Sequence, residues 1–255
     1  MCELLGMECN VPTDIVFSFT ALSMRGGRTG QHSDGWGLAL YDQRFARIFI
    51  EPAPACDSPL ARFVQDNPIR TLLAVAHVRQ RTVGTPTLEN THPFKRVLWG
   101  RDWVFAHNGT LPEVKGKPLR DFTPIGDTDS EHAFCWIMQE LAKSHAGVPS
   151  VDELTLTLRE LAPRIARHGT FNFMLSNGQA LWAHASTHLW HVERQHPFMT
   201  ANLADEDLSI DFAEHTTPQD RVAVVVTSPL TTNEEWTAFA SGELRVFVDG
   251  QLRRT

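Results

Sequence analysis

The chain has 255 residues, 42% of them hydrophobic and 21% charged, which is enough to bury a substantial core. No apolar run approaches the roughly 18 residues that a membrane span needs, which argues against an integral membrane protein. The 23 lysines and arginines against 30 aspartates and glutamates give a formal charge of −7, which opposes binding to nucleic acid.

The four cysteines, Cys2, Cys9, Cys56 and Cys135, have no regular spacing, which disfavours both a disulfide framework and a thiolate zinc site. The first 24 residues contain no lysine or arginine, whereas a secretory signal opens with positive charge. Both observations predict a cytoplasmic protein. No repeat or linker divides the chain, so we expect a single domain over residues 2–255.

The first half of the chain is predicted to contain two helices and four strands. Thr13 can cap a helix that ends at the Gly26-Gly27 pair, and Ser58 opens a short helix that Pro68 stops. The predicted strands span residues 36–41, 45–50, 72–78 and 103–106. The first residues of the chain are expected to add little to the core.

The second half begins with two longer helices that carry a Ser or Thr followed three residues later by Glu. These pairs are Thr128 with Glu131 and Ser150 with Glu153, and Pro163 is expected to kink or shorten the second helix.

The end of the chain returns to strands. A hairpin over residues 171–185 is predicted to turn at Asn177-Gly178 with type I′ geometry. Strands at 221–227 and 244–248 follow, separated by a small helix capped by Thr232 and Glu235.

Strands therefore lie toward both ends of the chain with two helices between them. This order differs from the regular strand-helix alternation of a doubly wound parallel sheet. We predict an α+β fold of stacked, largely antiparallel sheets.

Cys2 is the first candidate for chemistry. Removal of the initiator methionine, which is usual before a small residue, would leave the thiol and a free α-amine on one residue. Because the α-amine has a pKa of about 7.7–8.0, it can take the thiol proton near neutral pH. The alternative is a cysteine that stands at this position by chance.

Three further segments carry groups that suit a charged substrate. Arg79 follows a buried strand and can bind a carboxylate through two donors, or it can form a structural ion pair. Asn108 and Gly109 can donate to an oxyanion, or make only a turn. Asp129 begins a predicted helix, where it can bind an ammonium group. Alternatively, it is only a first-turn charge that the helix dipole stabilises.

Three histidines, His77, His92 and His107, are candidate metal ligands. Single histidines at strand ends are more often hydrogen-bonded structural groups, and no H-E-x-x-H pair occurs. No metal and no other cofactor is predicted.

The order of these motifs resembles that of class II glutamine amidotransferase domains, which belong to the N-terminal nucleophile hydrolases. The matching segments are Cys2, H-V-R-Q-R-T at 77–82, E-N-T-H-P-F at 89–94, A-H-N-G at 106–109 and D-T-D-S-E at 127–131. Further segments resemble the stand-alone YafJ type and the related γ-glutamyl hydrolases of ergothioneine synthesis. They are D-G-W-G at 34–37, G-T-F-N at 169–172, S-P-L at 228–230 and E-W at 235–236. Together these motifs cover essentially the whole chain.

The resemblance implies an αββα sandwich of two stacked antiparallel sheets. It also implies that Cys2 attacks the γ-amide of glutamine, forming a γ-glutamyl thioester and releasing ammonia. Asn108 and the Gly109 amide would stabilise the oxyanion. Arg79 and Thr82 would bind the substrate α-carboxylate, and Asp129 the α-ammonium group.

Three functions remain open at this point. The chain can be a glutaminase or an amidotransferase subunit that passes ammonia to a separate synthase partner. It can hydrolyse substituted γ-glutamyl amides or peptides. It can also be a catalytically silent glutamine-binding or regulatory protein, although such a protein has no need of the nucleophile.

Overall fold

A computed structural model describes residues 2–81 and 84–254. Within them lie four α-helices, α1 (Val16–Arg25), α2 (Pro59–Asp66), α3 (Asp129–Ser144) and α4 (Val151–Ala166). The strands of the same residues are β1 (Glu3–Thr13), β2 (Trp36–Asp42), β3 (Phe45–Glu51), β4 (Thr71–Val78), β5 (Phe94–Leu98), β6 (Arg101–Asn108), β7 (Asn172–Ser176), β8 (Leu181–Ala185), β9 (Trp190–Gln195), β10 (Thr200–Asn202), β11 (Ser209–Asp211), β12 (Arg221–Val226), β13 (Thr237–Ala238), β14 (Glu243–Val248) and β15 (Gln251–Leu252).

Two large sheets form the centre of the fold. The seven-stranded sheet has the order β13-β9-β12-β1-β4-β2-β3, and the six-stranded sheet has the order β15-β14-β8-β7-β6-β5. The strand pairs within both sheets are antiparallel. A short β10-β11 ribbon lies outside them.

Three apolar cores separate the layers. One packs α1 and α2 on the seven-stranded sheet, through residues such as Phe19 and Trp36. The middle core fills the space between the two sheets. The third packs α3 and α4 on the six-stranded sheet, through residues such as Phe134 and Trp182. This helix-sheet-sheet-helix arrangement confirms the predicted α+β, αββα fold.

Strand β1 lies in the middle of the seven-stranded sheet, so the expectation that the first residues add little to the core is wrong. Leu5 and Met7 face the helices, whereas Leu4 faces the six-stranded sheet. A strand buried on both faces shows little alternation of polar and apolar residues, which is why its sequence did not mark it as a strand.

The predicted caps of the two longer helices are confirmed. The Thr128 hydroxyl accepts from the Glu131 amide at 3.1 Å, and Ser150 and Glu153 form a reciprocal capping box. In α3 the second half of that box is missing, because the Glu131 carboxylate pairs with Arg96 instead. Pro163 lies inside α4, three residues before its end.

Two predictions about helices are wrong. Thr13 is the last residue of β1 and caps no helix, and the Asp14 side chain accepts from the Val16 amide instead. No helix forms at 232–235, because the Glu234 carboxylate makes two 2.7 Å hydrogen bonds to Arg194 of β9. This long-range ion pair overrides the local capping signal.

The predicted β7-β8 hairpin is confirmed, but its turn is not type I′. Gly178 has a φ of 83°, whereas the φ of Asn177 is not positive. Successive residues of positive φ, as type I′ requires, occur at Trp99-Gly100 and Asp249-Gly250. Across the described residues, no helix is both long and apolar enough to cross a membrane.

Candidate active site

The candidate site lies at one end of the space between the two sheets. The inward-facing residues Leu4, Ala106 and Val225 belong to the middle core. Because side chains two residues apart on a strand face the same side, Cys2, Asn108 and Thr227 continue these three rows beyond the core. The antiparallel register, which pairs Glu3 with Val78 and Leu5 with Val226, puts the start of β1 beside the ends of β4 and β12. Residues far apart in sequence therefore meet at one edge of the sandwich.

The Cys2 thiol contacts the backbone of Gln80 just after β4. The sulfur lies 3.2 Å from the Gln80 carbonyl oxygen, to which it donates, and 3.3 Å from the Gln80 amide nitrogen, from which it accepts. Burial raises the pKa of the Cys2 thiol, an effect that the Gln80 amide and the Arg79 charge offset only in part. The thiol is therefore neutral near neutral pH and needs a base to become a nucleophile.

Arg79 is 3% exposed and provides a buried cation close to that thiol. Its guanidinium donates to the carbonyl oxygens of Gly84 at 3.3 Å and Thr85 at 3.0 Å. Burial lowers the pKa of Arg79, and the nearby Cys2, Asp34 and Asp127 oppose that shift. The structure thus brings Arg79 and Cys2 together, as the motif order predicts.

Asn108 is held by a residue that no sequence motif singled out. Its Nδ2 lies 3.4 Å from the Thr227 hydroxyl, which also accepts from the Leu4 amide at 2.9 Å. The Asn108 Oδ1 is buried and has no hydrogen-bond partner among the described residues. Thr227 therefore links the first strand to Asn108. In the sequence, the one feature that pointed toward Thr227 was the S-P-L segment directly after it.

Gly109 is required by its surroundings. Its φ is 155°, and a Cβ at this position would collide with the Thr170 carbonyl oxygen. Asn172 of the next strand donates to the Asn108 carbonyl oxygen at 3.2 Å. The G-T-F-N segment at 169–172 thus supports the Asn-Gly pair from across the sheet.

Asp129 begins α3 and is 6% exposed. One carboxylate oxygen accepts from the Leu111 amide at 2.6 Å, and the other accepts from the Ser130 amide at 2.9 Å. These bonds connect the helix to the loop that follows Gly109. Asp129 therefore has a structural role as well as a position near the candidate oxyanion donors.

Arg25, at the end of α1, also holds the start of β1. Its guanidinium pairs with Glu3 at 3.2 Å and with Asp205 at 2.7 Å. It also donates to the carbonyl oxygens of Ser228 and Pro229.

Thr82, the remaining predicted site residue, lies outside the described residues.

Within the part of the chain that the structure describes, the three candidate metal ligands do not form a common metal-binding group. His77 and His92 lie with their ring centroids 4.4 Å apart, and none of their ring nitrogens has a hydrogen-bond partner among the described residues. His107 instead contacts Ser130 at 2.8 Å and the Thr170 carbonyl at 3.0 Å. The described residues contain no group of three or more side chains suited to hold a metal ion.

Residues 1–255 match the family model for the class II glutamine amidotransferases. The chain belongs to this family. A relative from Escherichia coli (strain K12), named "Putative glutamine amidotransferase YafJ", is 47% identical over 252 residues, covering 98% of this chain and 99% of the relative. These matches confirm the family that the motif order indicated.

Solved structures agree with this class II amidotransferase assignment. A Pseudomonas aeruginosa PA01 crystal structure, described as a "predicted glutamine amidotransferase", has 39% identity, full coverage of both chains and a TM-score of 0.80. Glutamine phosphoribosylpyrophosphate amidotransferase from B. subtilis has 14% identity, a TM-score of 0.60 and coverage of 99% of this chain and 48% of its own. That last likeness shows the fold alone.

Proposed function

We propose that residues 2–255 act as one glutamine amidotransferase type-2 domain that hydrolyses the γ-amide of glutamine through a thioester on Cys2. The observation that carries this proposal is the meeting of Cys2, Arg79 and the Asn108-Gly109 pair at one end of the sandwich, on three segments that the sequence keeps apart. The intact nucleophile argues against a purely regulatory role.

The reaction begins after Met1 has been removed and the Cys2 α-amine is free. The amine accepts the thiol proton, and the sulfur bonds to the carbonyl carbon of the substrate γ-amide while the carbonyl electrons move onto oxygen. The Asn108 side-chain amide and the Gly109 backbone amide donate to that oxyanion.

The tetrahedral intermediate then collapses and breaks its carbon–nitrogen bond. The protonated α-amine gives its proton to the leaving nitrogen, which departs as ammonia and leaves the thioester. Water adds to the thioester carbonyl, and cleavage of the carbon–sulfur bond returns the thiol and releases glutamate. A separate synthase partner would receive the ammonia in place of solvent.

Two charged groups would select the substrate. Arg79, with Thr82 beside it, binds the α-carboxylate, and Asp129 binds the α-ammonium group. Arg79 suits this role because it is a buried guanidinium beside the nucleophile, and planar guanidinium donors match carboxylate geometry.

The test is a hydrolysis panel on protein whose Met1 removal has been verified by intact mass. The panel contains glutamine, γ-glutamyl dipeptides, asparagine and a simple primary amide. We expect glutamine to be cleaved and the simple amide to be at least tenfold slower, because an unpaired buried charge costs about 2–5 kcal/mol.

The other outcomes separate the alternatives. Faster cleavage of γ-glutamyl dipeptides than of glutamine would identify a hydrolase of substituted γ-glutamyl amides. Equal rates on the simple amide and glutamine would contradict the two-charge recognition. No turnover of any γ-glutamyl compound, with no thioester trapped on Cys2, would leave a glutamine-binding or regulatory protein.

A further inference from the structure

Asn90 belongs to the E-N-T-H-P-F segment, for which the proposed function gives no role. It is 2% exposed, and its side-chain amide bridges two loops. Nδ2 donates to the Thr85 carbonyl oxygen at 3.2 Å, and Oδ1 accepts from the Asp127 amide at 3.0 Å. An asparagine amide suits this position because it offers both a donor and an acceptor.

Each end of this bridge leads to one of the groups proposed to bind substrate. The Thr85 carbonyl that accepts from Asn90 also accepts from the Arg79 guanidinium at 3.0 Å. On the other side, Asp127 lies two residues before Asp129, at the start of α3. The Asn90 side chain thus connects the loop that holds Arg79 to the loop that delivers Asp129.

Glycines stand where both loops approach Asn90. A Cβ on Gly126 would collide with the Asn90 Oδ1 and would lie 2.7 Å from the Glu89 carbonyl oxygen. A Cβ on Gly84 would lie 3.2 Å from the Asn90 Nδ2 and 2.8 Å from the Asp127 Oδ1, and the Gly84 φ is 77°. The close approach therefore depends on the absence of side chains on both loops as well as on the asparagine.

We propose that Asn90 is a positioning residue that sets the separation of Arg79 and Asp129, and that it thereby makes the enzyme select substrates carrying both an α-carboxylate and an α-ammonium group. This inference rests on the proposed function. Asn90 itself touches neither substrate nor the reacting atoms. Because it acts through binding, its loss weakens the ground state and the transition state alike, which raises KM and leaves kcat nearly unchanged.

The experiment replaces Asn90→Asp, which keeps the acceptor for the Asp127 amide and removes the donor to Thr85. We expect KM for glutamine to rise about tenfold, as for an unmade buried hydrogen bond, with kcat within about twofold of the wild type. Gly126→Ala disrupts the contact of Asn90 with the loop before α3, and it should raise KM in the same way. The two variants are independent, so the test can still be made if one of them fails to fold.

The matched control is Asn177→Asp. Asn177 is also buried and uses both ends of its amide, but its partner is Gln179 in the β7-β8 turn, at the opposite end of the sheet. This variant should lose stability and keep its KM for glutamine.

A second substrate distinguishes positioning from a general structural role. 4-Carbamoylbutanoate is glutamine without its α-amino group, so it can engage Arg79 but not Asp129. The preference for glutamine over this analogue, as a ratio of kcat/KM values, should fall about tenfold in Asn90→Asp. An equal loss of kcat/KM on both substrates, or an unchanged KM for glutamine in both Asn90→Asp and Gly126→Ala, overturns the positioning role. In either case the proposed function stands as long as the wild type cleaves glutamine. A wild type that cleaves no γ-glutamyl compound overturns both.

Discussion

At the scale of single residues, the site depends on hydrogen bonds between segments remote in sequence. Thr227 accepts from Leu4 and from Asn108, and Asn172 supports the Asn108 carbonyl from the neighbouring strand. One hydroxyl group thus joins the candidate oxyanion donor to the strand that follows the candidate nucleophile, and each group can be tested separately.

The Cys2 thiol is expected to be indispensable. Cys2→Ala should abolish glutamine turnover, and it should fold because Cys2 precedes the first residue of β1. Cys9→Ala is the matched control, since Cys9 is a buried cysteine farther along the same strand. Turnover and thermal unfolding of both variants check this prediction, and an active Cys2→Ala protein would contradict the nucleophile assignment.

Asn108→Ala should lower kcat by about 10² to 10³ with a much smaller change in KM, because the oxyanion exists only after attack. Steady-state kinetics with glutamine measure both constants. A raised KM with unchanged kcat would instead mean that Asn108 binds the substrate ground state.

Thr227→Val should lower kcat by about tenfold, since the Asn108 amide loses the hydroxyl that orients it. Thr155→Val is the control, because the Thr155 hydroxyl is buried and bonded to Trp182 away from the site. If kcat fell equally in Thr227→Val and Thr155→Val, the loss would reflect reduced stability and not the orientation of Asn108.

At the scale of elements, strand β1 connects the site to the far end of the sandwich. Its Glu8 carboxylate accepts from the amides of Asp249 and Gly250, which form the turn between β14 and β15. Burial raises the pKa of Glu8 to about 7, although these two amides oppose the shift. One buried carboxyl group therefore joins the two sheets and titrates near neutral pH.

This Glu8 group predicts a measurable pH dependence of stability. Because the folded pKa of about 7 exceeds the reference value of 4.5, the protonated form favours folding, and its contribution is complete below pH 4.5 and lost as the pH rises through 7. The wild type should lose about 3 kcal/mol relative to Glu8→Gln across that range. Urea unfolding at several pH values measures this difference, and Glu160→Gln on the exposed face of α4 should show none.

At the scale of the whole molecule, we expect two buried histidines to limit stability in acid. His77 and His92 lie between strands with no hydrogen-bond partner among the described residues, and burial lowers the pKa of His77 to about 3 and that of His92 well below its usual value. A depressed histidine pKa stabilises the fold above about pH 6.5, and this contribution is lost as the pH falls below that value.

We therefore expect the free energy of unfolding to fall in acid, by about 2 kcal/mol for His77 alone between pH 6.5 and 5. Glu8 opposes this fall, but two histidines outweigh one carboxyl group. His77→Phe should flatten the acid limb of the stability curve, whereas His188→Phe, at an exposed position, should leave it unchanged. An acid limb of equal slope in wild type and His77→Phe would show that other groups control it.

Local sequence patterns predicted much of the fold. The caps at Thr128 and Ser150 are satisfied within three residues, so the sequence carries the whole interaction. The hairpin after Asn172 is similarly short. The sequence also indicated the candidate site residues, because the order of their motifs resembles the order found in one family. These residues are Cys2, Arg79, Asn108, Gly109 and Asp129.

Only the tertiary structure decided how these residues meet. The Leu4–Thr227 bond spans 223 positions, and the ion pair of Arg194 with Glu234 removed a helix that local signals favoured. Strand β1 is central because both its faces are covered by residues from elsewhere in the chain. The sequence by itself determined which local hydrogen bonds and motifs were available. The tertiary structure decided which distant partners satisfied the rest, since a buried polar group must pair wherever the fold provides a partner.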